Sequence, residues 1–81
     1  MVSTRTMNLS DFDPEYVFSH HSATPEKLKQ YEAIHESAKQ FARVVLENVP
    51  ASIDRVAVIQ LLREASMLAC SAISLDGRLK P

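Results

Sequence analysis

Pro50 restricts this chain more than any other residue. It interrupts a run of helix formers that follows Thr24-Pro25-Glu26 and resumes after Ser52. A proline inside a helix lacks a backbone donor and clashes with the preceding turn, so one continuous helix is excluded. Upstream, Thr24 is a good N-cap, Pro25 suits the first helical position, and Glu26 favours the positive end of the helix dipole. These signals predict a helix over about residues 24–48, roughly 36 Å long at 1.5 Å per residue. Downstream, Ser52 caps a second helix, Asp54 lies in its first turn, and Asp76-Gly77 supplies the stop, with Gly77 suited to a left-handed cap. That helix is predicted over about 52–75. So short a link makes the pair an antiparallel αα-hairpin. A further short helix is expected over about 10–18, where Ser10, Asp11 and Asp13 can cap, Pro14 suits the first turn, and Phe12, Tyr16 and Phe18 are apolar. Residues 1–9 have no periodicity and are expected to be flexible, which leaves 10–81 as a single all-α domain.

On a helical wheel, Tyr31, Ile34, Ala38, Phe41, Val45 and Val49 share one face of the first long helix, with a neighbouring stripe of Leu28, His35, Ala42 and Leu46. The second helix is apolar over about 200°, through Ala57, Val58, Ile59, Leu61, Leu62, Ala65, Leu68, Ala69, Ala72 and Ile73. One partner helix cannot cover that arc, and 81 residues is a length at which a single core is marginal. The small residues Ala65, Ser66, Ala69 and Ala72 allow close helix approach. The expectation is a helical homo-oligomer.

Composition narrows the chemistry. A net charge of -1 argues against duplex nucleic acid as the main partner, while a few local cations still suffice for a small anion. Cys70 is the only cysteine, so there is no internal disulfide and no Cys₂His₂ zinc site within the chain, and a lone thiol suits a reducing cytoplasm. No metal and no cofactor is expected. No apolar run was expected to reach the ~20 residues of a membrane span, nor is there a signal-peptide core.

The hydrogen-bonding rings are concentrated between Tyr16 and His35, which holds all three histidines and both tyrosines. His35, Lys39 and Arg43 follow one another at i+4 and form a ridge beside the apolar face. That ridge fits either a phosphate clamp at a subunit seam or an interface histidine beside a solvated charge row with Glu32 and Glu36. His20 and His21 precede the anion-friendly N-terminus of the long helix, or form an ordinary polar loop. Tyr16 and Phe18 can stack on a nucleobase or staple the N-terminal turn to the hairpin. No Ser-His-Asp or Cys-His arrangement is specified by spacing, and no Gly-rich phosphate loop occurs.

The runs "HHSATPEKLKQYEAIHESAKQFA", "LENVPAS" and "LLREASMLACSAIS" together resemble the small hairpin family of phage anti-CBASS sponges, whose hairpin also occurs in some anti-Thoeris proteins. The resemblance covers about residues 16–75. It implies a non-enzymatic protein in the host bacterial cytoplasm, assembled as a helical hexamer, that binds cyclic oligonucleotide messengers without cleaving them and so starves a cell-killing effector of its signal. Cyclic dinucleotides such as 3′,3′-cyclic GMP–AMP would bind at seams between protomers, and cyclic trinucleotides at a separate site near a three-fold axis. Carried onto this sequence, Thr24-Pro25-Glu26 match the family's cap and His21 falls on its histidine. His20 stands where a stacking tyrosine is usual, and His35 where Arg or Lys follows "YEAI". The dinucleotide residues implied are Tyr16, His20, His21, His35 and Lys39. For the trinucleotide they are Ser37 and Arg78, the latter standing in for a basic residue at a position that is Leu75 here. An imidazole is cationic only when protonated, so both exchanges keep the chemical type and weaken it. The alternatives from other classes are a protein–protein interaction module using the wide apolar face and a small nucleotide hydrolase or lyase.

Overall fold

The computed structural model describes residues 11–81, so the expectation of a flexible segment at 1–9 lies outside the described residues. Three helices follow one another, α1 (Pro14–Val17), α2 (Pro25–Asn48) and α3 (Ile53–Ser74), with no strand among the described residues. α2 and α3 pack as the hairpin.

Each helix start is set by its cap. The Thr24 hydroxyl accepts from the Lys27 N–H at 3.1 Å, and the Ser52 hydroxyl accepts from the Arg55 N–H at 3.1 Å. Each satisfies a donor that the helix itself cannot. The short helix is smaller than expected because Asp13, rather than Ser10 or Asp11, is its cap; the carboxylate accepts from the Glu15 N–H at 3.0 Å. The Phe18 N–H then closes the turn on the Pro14 carbonyl, and the Ser19 hydroxyl donates to the Glu15 carbonyl.

The stop of α3 falls at Asp76-Gly77, as expected, with Asp76 joining Gly77 in the left-handed region. Leu75 is the C-cap, and the residue after it, Asp76, takes the left-handed conformation at φ 56°, followed by Gly77 at φ 70°. The Asp76 N–H reaches the Ile73 carbonyl at 3.2 Å and the Gly77 N–H reaches the Ala72 carbonyl at 2.8 Å. This is the Schellman pattern of two reversed bonds, with aspartate where glycine is usual. Lys27 compensates across the hairpin: its ammonium lies 3.1 Å from the Asp76 carboxylate and 3.3 Å from the Ser74 carbonyl.

Packing shows how far one chain can go. Tyr31, Ile34, Ala38, Val45 and Val49 of α2 and the link are buried or half-buried, as are Val58, Ile59, Leu62, Ala69 and Ile73 of α3. Only Val45 and Leu75 among the described residues are buried, and neither completely. The neighbouring stripe of α2 stays open at Leu28 and Leu46, and the far side of α3 stays open at Leu61, Met67 and Leu68, which are 58%, 60% and 62% exposed. The molecule measures 44 × 37 × 15 Å, a slab about as thick as one helix with its side chains.

One expectation needs correction here. By length and composition α3 is apolar enough to cross a membrane, with a mean hydropathy of 1.5. Arg63 and Glu64 stand at its middle, where charge in a bilayer costs about 2.5–3.5 kcal/mol per residue on insertion scales. Another helix packed on the same surface would avoid that cost.

Candidate functional site: a stitched end and an open ridge

The residues singled out in the sequence fall into two groups. The first surrounds the terminal end of the hairpin. The Tyr16 hydroxyl donates to the Leu75 carbonyl at 2.7 Å, which ties α1 to the end of α3. The His21 ring meets the Tyr16 ring edge-on, with centroids 4.8 Å apart. Its Nε2 lies 2.6 Å from the Tyr16 carbonyl. A carbonyl only accepts, so Nε2 of His21 carries the proton. Tyr16 therefore staples the short helix to the hairpin, one of the two roles open from sequence. Phe18 does not share that role: it is 79% exposed, its ring edge-on to Phe12 at 5.9 Å. His20 is exposed.

The tail completes this end. The Asp13 N–H donates to the Leu79 carbonyl at 2.7 Å, and the Lys80 ammonium lies 3.1 Å from the Asp11 carboxylate. Arg78 is exposed on the same tail, and its backbone N–H closes on the Leu75 carbonyl at 3.0 Å.

The second group lies along α2. His35, Lys39 and Arg43 are all exposed and form the expected ridge. The Lys39 ammonium pairs with the Glu36 carboxylate at 3.0 Å, and the Arg43 guanidinium reaches the Gln40 amide oxygen at 3.5 Å. The hydrogen bond from Lys39, and then its charge, lowers the Glu36 pKa below the ordinary carboxylate value. His35 turns toward α3, with its Nε2 3.6 Å from the Cys70 thiol. From Pro25 to His35 the helix rises about 15 Å. One chain therefore keeps the His20–His21 group and the His35–Lys39 group apart.

Ser37 belongs to neither group. With Ile34, Ala38, Phe41, Leu62 and Ala69 it lines a shallow, almost wholly apolar groove of about 330 Å³ between the long helices. A second groove of about 290 Å³, near the link, sets Arg55 and Arg63 beside Leu46, Val56 and Ile59.

Sequence reasoning missed three features. The Lys27–Asp76 pair and the Asp11–Lys80 pair join residues 49 and 69 positions apart, and no local pattern marks them. The third is the contact between His35 and Cys70, which depends on the register of α2 against α3. Spacing specified no Cys–His arrangement, and this contact emerges only in the folded hairpin. Catalysis by such a pair also needs a group that orients the imidazole and donors for an oxyanion. The described residues contain no group of three or more His, Cys, Asp or Glu arranged to hold a metal.

No family model, curated protein or solved structure matches the chain.

Proposed function

We propose that the protein is a non-enzymatic binder of cyclic oligonucleotides, assembled from several copies of this hairpin, that sequesters cyclic dinucleotides at seams between copies. The observation that carries this reading is the exposed ridge of His35, Lys39 and Arg43 beside an apolar stripe that its own chain leaves open at Leu28 and Leu46. A seam closing on that stripe would place the ridge at its edge, where cations meet phosphates in a partly desolvated setting. A second copy would bring its own His20 and His21, which a single chain holds about 15 Å along the helix from His35. The ligand's near two-fold symmetry suits a seam that offers every half-site twice. Stacking on exposed rings such as His20 would add about 1–3 kcal/mol per base. In this reading Tyr16 and His21 wall the base-binding end, while His35 and Lys39 meet the phosphates. A cyclic trinucleotide at Ser37 and Arg78 would need a separate contact, because those side chains lie on the inter-helix groove and on the tail. The resemblance to phage anti-CBASS sponges gives the biological setting: a phage protein acting in the host cytoplasm.

The test is isothermal titration with a panel of cyclic di- and trinucleotides, beginning with 3′,3′-cyclic GMP–AMP, alongside light scattering. The expected result is saturable heat from a multimer and recovery of intact ligand after heating. His20→Ala, His35→Ala and Lys39→Ala should each weaken dinucleotide binding without dissociating the multimer. Silence across the whole panel would end this reading. A second reading, an interaction module that caps another protein, is favoured by the same open face of α3. A monomer by light scattering that assembles only with a host protein would select it.

A further inference from the structure

The thiol of Cys70 and Nε2 of His35 face each other across α2 and α3 at 3.6 Å, within the range of a hydrogen bond to sulfur. Cys70 is unpaired as a disulfide and half-buried, whereas His35 is exposed. Of the two ring nitrogens, Nε2 is therefore the one occupied by the thiol, in a contact that is itself exposed, and Nδ1 is left for another partner. A neutral imidazole carries one proton, and the hydrogen bond at one nitrogen decides what the other offers. An acceptor at Nδ1 would repel a phosphate oxygen. A donor there would bind it, with or without a full positive charge on the ring.

We infer that Cys70 is a positioning residue for His35: its S–H donates to Nε2, fixes the neutral ring in the Nδ1–H form, and so presents an N–H donor to a bound phosphate. The inference rests on the reading of His35 as phosphate-facing. It extends that reading by explaining how an imidazole substitutes for a permanent cation. A thiol can donate to nitrogen while it keeps its proton, and a free thiol does so up to about pH 8. The arrangement opposes the tautomer that imidazole prefers in water, Nε2–H, so it leaves a spectroscopic signature. Lys39, one turn along, is paired with Glu36 and supplies the charge that the neutral ring lacks. Any loss of the thiol's proton, through oxidation or alkylation, would reverse the orientation and turn an acceptor toward the ligand.

The experiment is nitrogen NMR of the ring of His35 in the ligand-free full chain at about pH 8, where an ordinary imidazole is neutral. In the wild type the pyridine-type signal should belong to Nε2. In Cys70→Ala it should move to Nδ1, and Cys70→Ser, which keeps a donor, should behave as wild type. Titration with 3′,3′-cyclic GMP–AMP should then show Cys70→Ala binding about three- to tenfold more weakly, the loss expected for one hydrogen bond, with Cys70→Ser within about twofold of wild type. An Nε2–H ring in the wild type, or a tautomer unmoved in Cys70→Ala, overturns the inference whatever the ligand does. A tautomer that shifts without change in affinity overturns its role in binding. If no cyclic nucleotide binds the wild type, the functional reading fails, and the NMR result still decides the tautomer.

Discussion

At the end of the hairpin where α1 meets the tail, the chain closes upon itself: Tyr16 on the Leu75 carbonyl, Lys27 on Asp76, Asp13 on the Leu79 backbone and Asp11 on Lys80. At the opposite end, where α2 turns into α3, the contacts are few. Arg55 donates to the Val49 carbonyl at 3.3 Å and Ser52 caps α3, while Ile53 and Val56 are 87% and 69% exposed. The first end is specified by directional bonds that one chain can supply alone. The second end, with the outer face of α3, presents apolar surface that the described residues leave in water. The difference separates what holds the protomer's shape from what should hold an assembly.

The largest effect should come from the open face. If Leu61 and Leu68 faced water in the working protein, truncation would change stability by no more than about 0.5 kcal/mol. Covered by another copy, Leu61→Ala and Leu68→Ala should each cost about 2–4 kcal/mol and reduce the assembly size seen by light scattering. Denaturant unfolding of the two variants decides between these cases, and a neutral pair would break the contrast between the ends. Next comes the stitched end. Tyr16→Phe removes one of the two donors on the Leu75 carbonyl, the Arg78 N–H remaining, and should cost about 0.5–1.5 kcal/mol, with the assembly size unchanged. Dissociation in this variant would show that the two ends are not independent. Ser52→Ala removes a cap at the turn end and should cost about 1 kcal/mol, seen as a lower unfolding midpoint. The smallest effect concerns the ridge. Glu36 is depressed by Lys39, so the contribution of that pair is present above the ordinary carboxylate range and is lost as pH falls through the lowered value. A carboxyl NMR titration should place Glu36 below a typical glutamate, and Lys39→Ala should return it to the ordinary range.

The frame of the hairpin was legible because its signals are local. Thr24-Pro25 and Ser52 act on the N–H groups of the next turn, and Pro50 acts on its own backbone. The wheel likewise identified Val45 and Ile34 as inward and Leu61 and Leu68 as too many for one partner. The stop of α3 was legible in Asp76-Gly77, but not that the aspartate too takes the left-handed conformation, with a lysine across the hairpin meeting its carboxylate. That compensation is tertiary and has no trace in the order of residues around Asp76. The site was legible only as ingredients. The i+4 spacing found the ridge, but Tyr16's bond to a backbone carbonyl 59 positions away and the thiol opposite His35 depend on register.

The clasp between Asp11 and Lys80 also implies an order of assembly. Contacts beside the link close short loops, whereas the clasp must bring together residues 69 positions apart. The hairpin should therefore zip from Pro50 outward, with α1 and the tail docking last and opening first. Amide exchange should be fastest along Asp13–Phe18 and Arg78–Lys80 and slowest around Val45. The histidine-bearing segment that runs into α2 would then be governed by the least protected part of the fold, and its fraying would set how readily the base-binding end can open.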